Sequence, residues 1–77
     1  MSIFIKNLKL FRKLNGLTQT DFAEKMSLKR CTVGAYEEGR AEPSIKKFLE
    51  ICDLYNISPS DFYNIEFTVE TADDVRV

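Results

Sequence analysis

Few side chains in this sequence can do covalent chemistry. There is no histidine, and the two cysteines, Cys31 and Cys52, share no CxxC spacing. The commonest general base and the commonest zinc ligand are therefore missing, and two cysteines are too few for a disulfide framework. Hydrolytic, redox and metal-dependent mechanisms are hard to build from this inventory, so no catalytic site, metal or cofactor is expected. What remains is charge. Residues 1–47 hold ten of the eleven Lys and Arg against five acids, while residues 48–77 hold Arg76 alone against seven. The net charge of −1 thus divides into +5 and −6. Such polarity implies a basic face turned toward an anion and an acidic end turned away from it. Nucleic acid is the first candidate partner.

The elements that would carry this face can be read from period and capping. The chain has 77 residues, 44% hydrophobic and 30% charged, and fits one small domain. At this size a partner subunit often supplies missing stability. No apolar run approaches the ~18 residues of a membrane span, and the N-terminal segment lacks a small-residue cleavage site, so a cytoplasmic protein is expected. Residues 3–14 place Ile3, Phe4, Leu8, Leu10, Phe11 and Leu14 within an arc of about 160°, which predicts an amphipathic helix. Asn15-Gly16 ends it. Thr18 is an N-cap with Asp21 three residues on, and a second helix over about 19–26 turns Phe22, Ala23 and Met26 inward. Ser27-Leu28-Lys29 reads as a tight turn with Leu28 inward. A third helix follows over about 30–38, with Val33 and Tyr36 inward and Gly39 as its stop.

Pro43-Ser44 starts a fourth helix, whose stripe Ile45, Phe48, Leu49 and Cys52 is predicted to be core. Asn56 stops it, and Ser58-Pro59 opens a short fifth helix to Tyr63 or Asn64. Beyond that, Ile65, Phe67 and Val69 alternate with Glu66, Thr68 and Glu70, which is strand period. A lone strand leaves its backbone unpaired, so this one needs a partner in its own domain or in a second subunit. Residues 71–77 read as a loose acidic end. The division is a domain over 1–64 and an extension over 65–77.

The segment GLTQTDFAEKMSLKRCTVGAYEEGRAEPS, residues 16–44, resembles the phage-repressor and Cro-like (XRE) family of helix-turn-helix regulators. Leu17-Thr18-Gln19, Phe22-Ala23, Val33, Tyr36-Glu37, Gly39 and Pro43-Ser44 carry the resemblance, which spans residues 3 to about 64. It implies an all-α, compact five-helix fold of the lambda-repressor-like type, followed by the short C-terminal extension whose alternation suggests a strand. Ala23 is the small residue that lets two helices cross closely, and Leu17, Phe22, Val33 and Ile45 are expected to converge on one core.

By the resemblance, the helix of residues 30–38 is a recognition helix that lies in the major groove of double-stranded DNA. Base readout then falls to Lys29, Arg30, Cys31, Thr32 and Ala35, with Arg30 pairing guanine and Ala35 meeting a thymine methyl. Thr18, Gln19 and Arg40 take phosphates. Arg12 and Glu37 form a structural salt bridge that reads no base. Two departures stand out: Ser27 sits where relatives often have glycine, and Lys29 sits where they often have a capping Ser or Thr. Lys29 cannot accept a cap bond. The resemblance further implies a homodimer on a pseudo-palindrome, joined through Phe62, Tyr63, Ile65, Phe67 and Val69. A repressor, encoded by a bacterium or phage and acting at the nucleoid, is the function expected. The other reading is an antitoxin or similar interaction module whose tail docks a protein partner, with DNA binding as autoregulation. A self-paired tail, in its own domain or with a second subunit, favours the first, and a disordered tail favours the second.

Overall fold

Helix stops govern the path of the chain. The computed structural model describes residues 2–75, with side chains through Ala72. They form α1 (Ile3–Leu14), α2 (Gln19–Lys25), α3 (Arg30–Glu38), α4 (Ile45–Tyr55), α5 (Pro59–Asn64) and α6 (Val69–Val75). After each of the first four helices one residue turns left-handed: Gly16 (φ 69°), Ser27 (57°), Gly39 (77°) and Asn56 (55°). The next amide then reaches back to the helix, Leu17 to the Arg12 carbonyl (3.1 Å), Leu28 to Ala23 (2.8 Å), Arg40 to Ala35 (2.9 Å) and Ile57 to Cys52 (3.0 Å). This closure satisfies carbonyls that a helix end leaves orphaned. Ser27 holds the conformation without glycine's freedom, at a cost of about 1 kcal/mol.

Helix starts are set by side chains. The hydroxyls of Ser2, Thr18, Ser44 and Ser58 accept the amides of Ile5, Asp21, Lys47 and Asp61. Asp21 also accepts the Thr18 amide at 3.0 Å, completing a capping box. Before α3, Lys29 makes no side-chain cap, as its chemistry requires. The six helices enclose a core centred on Phe11, whose ring centroid lies 5.4 Å from those of Tyr55 and Phe67 and 5.7 Å from that of Phe62. Leu8, Phe22, Val33 and Ile51 are fully buried around it.

The structure corrects the phase of α4. Ile45 and Leu49 are 81% and 44% exposed, while Ile51, Cys52 and Tyr55 are buried with Phe48 packed beside them. Two apolar stripes share Phe48 and Cys52, and the helix buries the one that includes Ile51 and Tyr55. Its stop selects that phase: the left-handed Asn56 returns Ile57 to the core, where it is buried. Ile45 therefore does not join Leu17, Phe22 and Val33.

The extension is also corrected, since residues 65–68 form an irregular link, extended at Ile65, that enters α6, and no strand occurs among the described residues. Thr68 and Thr71 cap each other reciprocally, the Thr68 amide donating to Thr71 Oγ1 (2.7 Å) and the Thr71 amide to Thr68 Oγ1 (3.3 Å). Helix formation follows from that cap and from Ala72, which α6 buries completely. The backbone partner that a strand would have needed is one side chain. Asn7, fully buried on α1, donates Nδ2 to the carbonyls of Phe62 (2.8 Å) and Ile65 (2.7 Å) and accepts the Phe67 amide at Oδ1 (3.0 Å). Truncation leaves three buried or half-buried backbone groups unpaired. Asn7→Ala is therefore expected to lose about 3 kcal/mol in urea unfolding and to expose the Phe67 amide to hydrogen exchange. A loss below about 0.5 kcal/mol, the level of an ordinary surface change, would remove Asn7 from this role.

Candidate nucleic-acid interface

On α3 the inward side chains are Val33, Tyr36 and Glu37, all buried. The remaining face runs through Arg30, Cys31, Gly34, Ala35 and Glu38. Lys29, Arg30, Cys31 and Glu38 are exposed, and Thr32, Gly34 and Ala35 are half-buried. The five residues expected to read bases thus sit together on the open side of one helix or at its entry. Ala23 on α2 is buried at 2% exposure, and α2 and α3 pack against each other.

What fixes the rotation of α3 is a buried ion pair. Arg12 donates Nε to Glu37 Oε2 at 2.6 Å and Nη2 to Oε1 at 3.0 Å. Its Nη1 donates to the Leu17 carbonyl at 2.8 Å, and Gln19 Nε2 donates to Glu37 Oε1 at 3.1 Å. Arg12 and Glu37 are 8% and 2% exposed. One carboxylate therefore joins α1, the start of α2 and α3, with planar two-point geometry that permits little rotation. The expected Arg12–Glu37 pair is present, and Gln19, expected to take a phosphate, also bonds its carboxylate.

Thr18 and Gln19 lie at the start of α2. The Thr18 amide and hydroxyl hold the Asp21 carboxyl below its ordinary value. That contribution is full above the ordinary 3.8 and is lost as pH falls through the lowered value. Arg40 lies just past Gly39 with its guanidinium Nε 2.6 Å from Glu38 Oε2. Lys47, which the sequence marked only as one more basic residue, donates Nζ to the Met26 carbonyl at 2.6 Å and so clamps the end of α2 from α4. Of the five residues expected at a dimer surface, Phe62 and Phe67 are buried in the protomer's own core, because the turn held by Asn7 folds them inward. Tyr63, Ile65 and Val69 remain exposed.

A helix-turn-helix family model matches residues 8–62. The chain belongs to the Cro/C1-type helix-turn-helix family. It is 36% identical over 59 residues to an uncharacterized HTH-type transcriptional regulator of Methanocaldococcus jannaschii, covering 77% of this chain and 89% of that one. It is 38% identical over 56 residues to the HTH-type regulator YqaE of Bacillus subtilis (73% and 48% covered). Identity to antitoxin PezA of Streptococcus pneumoniae is 30% over 72 residues (94% and 46% covered). The chain spans about half the length of these last two relatives. No solved structure matches it.

Membership in the Cro/C1 type makes this a DNA-binding transcription-regulation domain, in which α2 and α3 are the helix-turn-helix. Among the described residues no helix is long and apolar enough to cross a membrane, and no three His, Cys, Asp or Glu side chains gather as a metal site. The buried Cys52 thiol is pushed up to about 11 by desolvation and the Asp53 charge, which keeps it protonated in the core. Removing one partner of a buried pair strands the other charge. Arg12→Met is expected to lose 3–5 kcal/mol, roughly, by chemical denaturation, and Arg12→Met with Glu37→Met to recover at least half of that. A double variant no more stable than the single one would contradict the stranded-charge account.

Proposed function

We propose that the protein is a homodimeric, sequence-specific repressor that reads a pseudo-palindromic operator through α3. The observation that carries the proposal is the division of α3 into a buried half, locked by Arg12–Glu37, and an open half bearing Lys29, Arg30, Cys31, Thr32 and Ala35. A helix whose rotation is fixed can present the same few donors to the base edges each time it enters the major groove. Arg30 pairs the O6 and N7 of guanine, Ala35 meets a thymine methyl, and Lys29, Cys31 and Thr32 flank them. Thr18, Gln19 and Arg40 hold phosphates on either side and set the register. The exposed Tyr63, Ile65 and Val69 are the apolar contribution to a dimer that sets two α3 helices about 34 Å apart. The protein is a reader and not an enzyme.

The antitoxin PezA among its relatives favours a second reading, in which the tail folds on a protein partner. Against it stands the docking of 65–72 onto α1 within a single protomer. Selection of bound duplexes from a random pool, at one fixed salt concentration, tests the proposal. Enrichment of an inverted repeat with half-sites about 10 base pairs apart is expected, and Arg30→Ala is expected to lose 1–3 kcal/mol, roughly, on it and to relax the guanine preference. A folded protein that enriches no sequence would contradict it.

A further inference from the structure

The side chains that oppose an anion on this face are as informative as those that favour one. Glu38 lies three residues after Ala35 and seven after Cys31, so its carboxylate stands on the same open strip of α3. It also sits in the last turn of that helix, which has no basic residue, and there its charge faces the negative end of the helix dipole. Neither the helix nor a nearby phosphate gains from it. Its contact is Arg40: across the left-handed Gly39, Glu38 Oε2 takes the Arg40 guanidinium at 2.6 Å, with both side chains more than half exposed. An exposed pair of this kind is weak and opens readily.

Resting on the reading of α3 as the groove helix, we infer that Glu38 sets the strength of DNA attachment. It competes with phosphate for Arg40 and repels the backbone itself, lowering affinity evenly across sequences and leaving discrimination to the base contacts. The carboxylate acts as a brake on non-specific binding in a chain whose basic charge is concentrated in residues 1–47.

The test is fluorescence anisotropy of the full protein with Glu38→Gln, Arg40→Ala and the double variant, on a selected operator and on a scrambled duplex, over a salt series. Glu38→Gln is expected to tighten both duplexes about fivefold at low salt, with a steeper salt slope by about one phosphate contact. In the Arg40→Ala background the gain is expected to shrink. Glu38→Gln should also unfold at the same temperature as the native protein or higher, since it removes a charge unfavourable to α3. Unchanged affinity and slope, tightening on the operator alone, or an equal gain without Arg40 would each overturn the inference. A native protein that binds operator and scrambled duplex equally would overturn the reading of α3, while the effect of Glu38 on the scrambled duplex is still read separately.

Discussion

The fold turns on a single buried carboxylate. Glu37 receives two nitrogens of Arg12 and one of Gln19, and through them the first three helices share one fixed point. A buried ion pair is not a dependable source of net stability, because desolvating two charges offsets most of their attraction. Its value here is geometric. Val33 and Tyr36 are buried, but apolar burial is non-directional and does not by itself set the rotation of α3. A two-point guanidinium–carboxylate contact is directional, and it orients the strip from Lys29 to Ala35 relative to α1 and α2. The Tyr55 hydroxyl is buried without a hydrogen-bond partner among the described residues, and burial pushes its pKa well above the usual phenol range, with Arg12 opposing that shift and Glu37 adding to it. It stays protonated.

Two further constraints keep that orientation from being lost at its edges. The turn between α2 and α3 is closed by Ser27 in a left-handed conformation, with Leu28 returning to the core and Lys47 holding the Met26 carbonyl. At the opposite side of α1, Asn7 fastens the link between α5 and α6, bringing Phe67 against Phe11. α1 thus works in two directions, with Arg12 facing the helix-turn-helix and Asn7 facing the C-terminal extension. A disturbance at either residue would reach the packing of Phe11 between them.

The helix starts and stops were legible because capping is local: Thr18 with Asp21, Ser58 with Pro59, Gly16 and Gly39 need no knowledge of the rest of the chain. The helix-turn-helix and the Arg12–Glu37 pair were legible from the resemblance, which spans residues 3 to about 64. The phase of α4 was not, because the stripes through Ile45 and through Ile51 are both apolar and the choice depends on where Ile57 returns. The alternation of Ile65, Phe67 and Val69 suggested a strand with one apolar face, yet only Phe67 is buried. The partner that makes an extended link tolerable is an amide 60 positions away, a separation that no period reveals. At the site, the bond from Gln19 to Glu37 and the pairing of Arg40 with Glu38 depend on side-chain geometry that residue types alone do not specify.

On the proposed reading, the open strip of α3 is the surface that meets DNA. The most direct test of that reading is a map of backbone amide chemical shifts as the uniformly labelled protein is titrated with a selected operator duplex. Shifts concentrated at residues 18–19, 29–35 and 38–40, with the α5 and α6 amides changing only through the proposed dimer, are the predicted result. Shifts confined to α4–α6, with the α3 strip unmoved at saturation, would contradict the account.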